Sequence, residues 1–353
     1  MLTKKRYSVK DMVLWTRGET LIYLCYAGVI TVLYKFLGFT FLTVPWTPVA
    51  LIGTAVAFLV GFQNNSAYGR IWEARMIWGA IVNTSRTWGM KVQDMVTNEY
   101  CKQPISELEL RNHKKTLVYR HIAWMTALRY AMRQRKSWET QHNAITNQEW
   151  RDMIHIPEEV STLEDNLLIY LSDEERKHVL SKGNKQTAIL YLQSKHIREL
   201  KEKGLIWDFA FLELENVLES LFTHQGKSER IKNFPYPRQY ASLGLYLTRV
   251  FTILIPFGLI PEFAELGKTT VGDFYLIGEY FIWIAVPFCA VVSWAFHTME
   301  RLARTGENPF EGGPNDVPIS TIARGIEIDL LQMLDENPED IPSQFPEEQN
   351  VQM

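Results

Sequence analysis

The protein has 353 residues, a formal net charge of -3 at pH 7 and 46% hydrophobic residues. This balance offers no strongly basic face for nucleic acid, and three cysteines, two of them inside apolar blocks, exclude a disulfide framework. The mean hydropathy of -0.13 is typical of a soluble protein. However, the apolar residues gather in a few blocks long enough to cross a bilayer. We therefore predict an all-α integral membrane protein.

The first apolar block predicts two membrane spans. No charged residue occurs between Lys35 and Arg70, and the apolar run already begins before Lys35. The block is thus long enough for two crossings of about 20 residues each. Proline suits a first helical turn and breaks a helix interior, so Pro45 and Pro48 mark the turn between the spans. One helix is predicted to end near Leu37 and the next to start near Pro48.

A second pair of spans is predicted at about residues 240–260 and 274–298, so that four transmembrane helices form two hairpins. Pro256 and Pro287 are expected to interrupt these spans. Two charges also fall there, Arg249 inside the third span and Glu279 near the start of the fourth. Such charges mark either a functional site or an ordinary pairing with a neighbouring acid or carbonyl.

The basic residues predict the orientation of the spans. The connection between the third and fourth spans is acidic, with Glu262, Glu265 and Asp273 against Lys268. The outer flanks of both hairpins are basic, which places both termini and the middle segment in the cytoplasm. The basic flanking residues are Lys4, Lys5, Arg6, Lys10, Arg17, Arg70, Arg75, Arg86, Lys91, Arg301 and Arg304.

The segment between the hairpins is polar and has a helical pattern. Ser172 with Glu175 resembles a capping box that opens a helix, and Gly183-Asn184 marks its end. Apolar residues at helical spacing form one stripe, namely Leu214, Val217, Leu218 and Leu221. Beyond Arg324 the acidic, proline-rich tail is predicted to be mostly disordered after a short helix. The predicted divisions are a cytoplasmic N-terminal segment (1–19), hairpin 1 (20–66), a cytoplasmic helical region (67–235), hairpin 2 (236–300) and a cytoplasmic C-terminal segment with the tail (301–353).

Signatures of enzymes are missing from the sequence. It contains no G-x-G-x-x-G, Walker A, H-E-x-x-H or C-x-x-C motif. The eight histidines are scattered singly, and His113 and His121 lie two helical turns apart, too far to share a metal without a third element. We therefore expect no catalytic site, no metal and no cofactor.

The second span carries two rows of residues at i, i+4 and i+8, a spacing that places each row on one helix face. One row is Thr54, Phe58 and Phe62. The other is a row of small residues, Gly53, Ala57 and Gly61. Small residues let neighbouring backbones approach, so parallel copies of the helix can pack there and point the larger side chains to a common axis. A ring of Phe would then form a hydrophobic constriction; the alternative is that both Phe side chains face lipid.

Four uncharged polar residues follow this row directly. Amides and hydroxyls at this level can replace part of an ion's hydration shell without trapping the ion, although ordinary interfacial residues have the same composition. We predict a pore vestibule here. Its residues are Gln63, Asn64, Asn65 and Ser66.

Several motifs resemble the bacterial branch of the bestrophins, a family of ion channels. The first is VGFQNNSAYGRIWEAR at residues 60–75, followed by Trp78-Gly79. The second is Glu307-Asn308-Pro309-Phe310 after the last span. Residues 228–231 and 235–237 ahead of the third span also match, so the resemblance covers most of the chain apart from the tail.

The resemblance implies a homopentamer around one axial pore in a bacterial inner membrane, with the chain itself, membrane lipid and monovalent ions as partners. The family's hydrophobic neck then falls on the face of Thr54, Phe58 and Phe62, where Thr54 departs from the usual apolar residue. A second, cytoplasmic aperture is expected at Ile206, with Phe209 as the second choice.

Ion choice and activation also follow from the resemblance. Animal members are activated by calcium through an acidic run after N-P-F, but residues 311–316 carry two carboxylates for a cation that takes six to eight oxygens. We therefore expect no calcium activation. A chloride-type anion channel is the family default. Selectivity for monovalent cations such as sodium stays open, because aromatic edges favour anions and amide oxygens favour cations.

Two functions other than a channel remain. A secondary transporter would use Arg249 and Glu279 as a coupled site, although the two hairpins show no internal repeat. A membrane-anchored scaffold would use its helical middle segment to bind a protein partner. Conductance separates a channel from a transporter, and Phe58→Ala separates a channel from a scaffold.

Overall fold

The computed structural model describes residues 1–139, 145–270, 278 and 280–353. The described residues form helices and isolated β-bridges, without any extended β-strand. Four of the described helices are long and apolar enough to cross a membrane. They are the second, third, eleventh and twelfth. The helices are α1 (Val9–Trp15), α2 (Arg17–Phe36), α3 (Trp46–Met95), α4 (Glu107–Arg133), α5 (Ile145–Asp152), α6 (Pro157–Val160), α7 (Leu163–Leu167), α8 (Asp173–Leu180), α9 (Lys185–Glu202), α10 (Asp208–Asn233), α11 (Arg238–Thr270), a 3-10 turn (Phe281–Ile284), α12 (Ala285–Gly306) and α13 (Ile319–Met333).

The first hairpin follows the sequence prediction closely. Helix α2 ends at Phe36, and Gly38 adopts the left-handed conformation, with φ of 68°, that commonly follows a helix. Pro45 caps α3, and Pro48 lies in the first turn, where its missing N–H leaves no intrahelical hydrogen bond unmade. The proline pair therefore starts the helix as predicted.

Helix α3 runs far beyond the membrane. It has 50 residues, which at about 1.5 Å per residue gives a length of about 75 Å, against about 30 Å for the hydrocarbon core of a bilayer. The predicted division between residues 66 and 67 falls inside this unbroken helix. Hairpin 1 and the cytoplasmic region thus share one continuous element.

The second hairpin differs from the prediction at its prolines. Helix α11 continues through Pro256 and Pro261, so Pro256 does not interrupt the third span. Pro287 is the third residue of α12, in the first turn, where proline is tolerated. Asp273 of the predicted acidic connection, and Phe274 and Glu279 of the predicted fourth span, lie outside the described residues.

The predicted cytoplasmic region, residues 67–235, is built around the C-terminal half of α3. Trp78, Trp88 and Trp124 are fully buried in a core to which α3, α4, α9 and α10 contribute. The predicted stripe of α10 from Leu214 to Leu221 is buried in the same core. Ser172 and Glu175 form the predicted capping box of α8. Helix α8 ends earlier than predicted, at Leu180, because Asn184 instead caps the start of α9.

The tail packs against the rest of the chain, so the prediction of a mostly disordered tail was wrong. Val351 is buried and pairs with Leu2 in an isolated bridge. The Thr321 N–H donates to Met353 O at 2.5 Å. The guanidinium groups of Arg129 and Arg324 lie over the ring of Phe345, 5.7 and 4.5 Å from its centroid. These contacts join the segments at the two ends of the sequence on one side of the protein.

Candidate functional site

The face of α3 that carries Phe58 and Phe62 points away from its own chain. These side chains are 66% and 56% exposed, and their rings meet edge to face with centroids 4.5 Å apart. The opposite side of the helix is buried against α11 and α12 through residues such as Val56 and Val60. The predicted neck row therefore lies on the free side of the helix.

Thr54 completes this row, and its hydroxyl is already satisfied. Thr54 is exposed, and its Oγ1 donates to the carbonyl of Ala50 at 3.0 Å. A hydroxyl bound to the preceding turn leaves its methyl group as the main outward feature. This contact reduces the polarity that the sequence alone assigns to Thr54.

The row of small residues is divided between two environments. A Cβ at Gly53 would lie 2.6 Å from the ring of Phe251 on α11, whereas one at Gly61 would meet nothing within 4 Å. Ala57 is exposed. Gly53 therefore permits close packing within the chain, which corrects its predicted role between copies, while Ala57 and Gly61 remain open.

The predicted vestibule residues are divided in the same way. Gln63 is only 2% exposed. Asn64 is half-buried and donates to Met299 O at 2.9 Å. Asn65 and Ser66 are exposed beside the neck face. Burial against the chain's own helices removes Gln63 from the predicted vestibule, and the bond to Met299 turns Asn64 toward α12, so the polar outward surface is that of Asn65 and Ser66.

Gln63 belongs to a buried polar cluster that sequence reasoning missed. Its Nε2 donates to Glu307 Oε1 at 3.3 Å, and Arg238 donates to Glu307 Oε2 at 3.1 Å. Burial raises the pKa of Glu307, and the positive charge of Arg238 opposes that rise. The sequence identifies Glu307 only as part of the Glu307-Asn308-Pro309-Phe310 motif. Its pairing with a residue 244 positions away has no local signal.

Arg70 ties the middle of α3 to the segments beside it. Its Nε donates to the Glu307 carbonyl at 2.6 Å, and its Nη2 donates to the carbonyls of Ile231 and Phe234 at 2.8 and 3.0 Å. Five fixed donors make a guanidinium suited to binding several carbonyls at once. Arg70 thus joins α3 to the end of α10 and to the start of the N-P-F element.

The two predicted aperture residues have opposite environments. Ile206 is 2% exposed and lies in the core shared by α3, α4, α9 and α10, whereas Phe209 is 77% exposed at the start of α10. A side chain enclosed by its own chain cannot line an aperture. Ile206, the first choice from the sequence, is therefore corrected, and Phe209 retains the exposure that the role requires.

The remaining charged candidates are only partly brought together. Arg249 is exposed on α11 and within electrostatic reach of Glu300 on α12. Glu279, its predicted transporter partner, lies outside the described residues.

Asp316, in the segment that follows the N-P-F element, is buried. Its carboxylate accepts the N–H groups of Gly312 and Gly313 at 2.8 and 2.9 Å, and burial raises its pKa to about 6. Among the described residues, no three or more His, Cys, Asp or Glu side chains form a metal-binding group.

Comparison with known proteins places these features in a family. The profile of the Bacterial/Fungal Bestrophin protein family matches residues 8–332. A Salmonella typhi protein named voltage-dependent anion channel-forming protein YneE is 26% identical over 311 residues, covering 88% of this chain and 82% of that protein. The Escherichia coli K12 protein of the same name is 25% identical over 327 residues, covering 92% and 88%.

A solved structure has the same fold. The crystal structure of a bacterial bestrophin homologue from Klebsiella pneumoniae superimposes with a TM-score of 0.68 at 22% identity, covering 91% of this chain and 99% of that one. The profile match spans most of the chain, including the neck row, Arg70 and the N-P-F element. The chain therefore belongs to the bacterial and fungal bestrophin family.

Proposed function

We propose that the protein is a homopentameric anion channel whose pore is lined by the outward face of α3. One observation carries this proposal. Phe58 and Phe62 are exposed on a membrane helix whose other side is already packed against its own chain. Five copies of that face around an axis would form a ring of phenyl groups, an apolar constriction of the kind that gates by dewetting.

The residues beside the neck favour a pore over a lipid-facing surface. Asn65 and Ser66, which follow Phe62 along α3, are also exposed. Their amide and hydroxyl groups can form hydrogen bonds with water but not with hydrocarbon. Ala57 and Gly61 leave space on the adjacent face for a neighbouring helix. Phe209 is the proposed second constriction in the cytoplasmic region.

Anion conduction is proposed from the relatives and from the chemistry of the neck. The related proteins are named as anion channel-forming proteins. No charged residue lies between Lys35 and Arg70, so aromatic edges, which carry partial positive charge, are the main electrostatic feature of the constriction. Sodium selectivity is the second candidate, supported by the exposed amide of Asn65 and hydroxyl of Ser66.

Topology and activation complete the proposal. The bridge between Leu2 and Val351 supports both terminal segments lying on one side of the membrane, and the basic flanks favour the cytoplasm of a bacterial inner membrane.

Activation without calcium is proposed because the Asp316 carboxylate already accepts two backbone N–H groups.

The test is ion flux through liposomes that contain the purified oligomer, with chloride and sodium gradients imposed separately. Phe58→Ala and Phe62→Ala should change the flux, because each widens the neck. Phe288→Ala is the matched control, since Phe288 is also an exposed phenylalanine of a membrane helix, but on α12. The reversal potential gives the sign of the ion.

Several results would reject the proposal. An oligomer that reconstitutes but passes neither ion is not a channel, and slow, saturable flux would indicate a transporter. Equal effects of Phe58→Ala and Phe288→Ala would show that α3 does not line the pore. Flux that appears only after calcium is added would contradict activation without calcium.

A further inference from the structure

A cavity of about 80 Å³ lies between α1, α5, the last turn of α12 and the loop that follows Phe310. One water needs about 10–15 Å³ by the same kind of measure, so the cavity has room for a small organic group. Its walls are mainly aromatic and aliphatic, with a carboxylate at the side. The residues used below are Tyr7, Asp11, Met12, Trp15, Trp150 and Leu302.

The aromatic walls are held in place from behind. The Trp15 indole N–H donates to Asn147 Oδ1 at 2.8 Å, and the Tyr7 hydroxyl donates to Asn315 Oδ1 at 3.1 Å. The rings of Tyr7 and Trp150 meet edge to face at 6.2 Å. Because the protein already satisfies the polar atoms of Tyr7 and Trp15, these rings offer mainly π surface to a ligand.

The described lining of the cavity carries a negative charge. Among the described residues that line it, Asp11 alone is charged at neutral pH. Hydrogen bonds from the Ser8 side chain and backbone hold the pKa of Asp11 below its usual value, with smaller contributions from Lys4 and Lys10, which do not line the cavity. Burial raises the pKa of Tyr7 to about 12, so its phenol stays neutral. A ligand must therefore combine apolar surface with positive charge.

The molecule already uses one of these rings to bind a cation. The guanidinium of Arg301 stacks on Trp15 at 4.3 Å from the ring centroid. Tyr7 and Trp150 have no such partner among the cation–π contacts of the described residues. Both are half-buried, so a ligand can reach them, and electron-rich ring faces next to a carboxylate are how proteins recognise organic ammonium ions.

The position of the cavity favours a ligand at the membrane boundary. Helix α1 is separated from α2, the first membrane helix, by Thr16 alone. Leu302 belongs to the last turns of α12, the fourth membrane helix. A charged group with an apolar stem can therefore place the stem against Met12 and Leu302.

We propose that this cavity binds an organic ammonium group of the choline type, with Asp11 as counterion and the rings of Tyr7 and Trp150 as its walls. The group can come from a free solute or from the headgroup of a membrane lipid. Binding at this cavity goes beyond ion conduction, and its measurement does not require an open pore.

The test is a titration of the full-length protein, purified in a maltoside detergent, with choline chloride, followed by tryptophan fluorescence and calorimetry. The neutral isostere 3,3-dimethylbutan-1-ol is titrated in parallel. Asp11→Asn keeps the shape and the helix cap but removes the charge, and Trp150→Leu removes a ring. Asp165→Asn is the matched control, because Asp165 is also the third residue of a short helix capped by a hydroxyl side chain.

Saturable choline binding by the natural protein and by Asp165→Asn is expected. Asp11→Asn and Trp150→Leu should each weaken it about tenfold, and the neutral alcohol should bind at least about tenfold more weakly than choline. The proposal is overturned if choline does not bind saturably, if the alcohol binds equally well, or if Asp11→Asn binds like the natural protein. Should Trp150→Leu fail to fold, the alcohol and Asp11→Asn still decide.

Nanodiscs distinguish the source of the ammonium group. Choline is titrated into protein held in phosphatidylcholine discs and into protein held in phosphatidylglycerol discs. Weaker apparent binding of free choline in the phosphatidylcholine discs identifies the lipid headgroup as a competing occupant. Equal binding in both discs identifies a free solute as the ligand.

Discussion

The two halves of α3 place their aromatic residues in opposite environments. In the N-terminal half, Phe58 and Phe62 are exposed, whereas in the C-terminal half Trp78 and Trp88 are fully buried. Burying a large aromatic side chain contributes free energy to folding, while leaving one exposed on a membrane helix contributes little to the protomer. The comparison teaches that the buried Trp side chains stabilise the fold, whereas the exposed Phe side chains are free to line the proposed pore.

The sharpest test of this contrast is Trp88→Ala. Trp88 stacks on His121 with ring centroids 6.1 Å apart and donates to Leu117 O. Its loss should lower the free energy of unfolding by about 3–5 kcal/mol, because it leaves a large cavity in the core. Thermal unfolding in detergent measures the change. Met90→Ala, at a half-exposed position two residues away, is the control and should change stability by at most about 0.5 kcal/mol.

Acid should destabilise the helical region around α9, which contains the buried His196. Burial, and then the charge of Arg120, lowers the pKa of His196 to about 3 from 6.5. A group whose pKa is lower in the folded state than in the unfolded state stabilises the fold above pH 6.5 and loses that contribution as the pH falls. At pH 5 the loss amounts to about 2 kcal/mol.

The control for this effect is His196→Gln. The groups that face His196 are Arg120, which contacts Nδ1 at 2.8 Å and pairs with Glu175, His113 at 3.2 Å from Nε2, and Lys203. Glutamine does not titrate, so the variant should lose about 2 kcal/mol less than the natural protein between pH 7.5 and pH 5. Identical pH profiles for the two proteins would rule out His196 as the source.

A glycine pair separates contacts within the protomer from contacts between copies. Gly53→Ala should cost about 1–3 kcal/mol of stability, because the new Cβ overlaps the ring of Phe251. Gly61→Ala should not destabilise the protomer, because its Cβ meets no atom of the chain and alanine favours a helix interior over glycine. Unfolding of both variants is compared with their oligomer size by size-exclusion chromatography. A shift in oligomer size for Gly61→Ala alone would place that glycine between copies.

Substitution of Phe58 is expected to change the stability of the protomer least and the ion flux most. Phe58→Ala should lower the free energy of unfolding by less than about 1 kcal/mol, because the side chain is two-thirds exposed. Its ion flux should nevertheless differ from that of the natural protein. If Phe58→Ala lowers the free energy of unfolding as much as Trp88→Ala does, the two halves of α3 do not differ in the way described.

The sequence predicted the parts of the fold that have a local signal. Hydropathy located the four spans, and the prolines Pro45 and Pro48 located the first turn, because both depend on neighbouring residues. Helical spacing also placed Thr54, Phe58 and Phe62 on one face. That face proved to be the exposed one.

What the sequence missed depends on distant contacts. Helical spacing shows which residues share a face, but not which face the rest of the chain covers. Gln63 is buried by Glu307, and Gly53 by Phe251, each about 200 residues or more away. Distant contacts also explain the two wrong predictions for Ile206 and for the tail. Composition alone does not show that Val351 pairs with Leu2.

The unbroken length of α3 gives the molecule a lever. Arg70 lies near the midpoint of the helix and is fixed there through three backbone carbonyls. A stiff rod held at its middle moves at both ends together. Because Phe58 and Phe62 lie closer to Arg70 than the C-terminal end of the helix does, a tilt of the rigid helix about Arg70 swings them the opposite way by about a third to a half of the distance that this end moves.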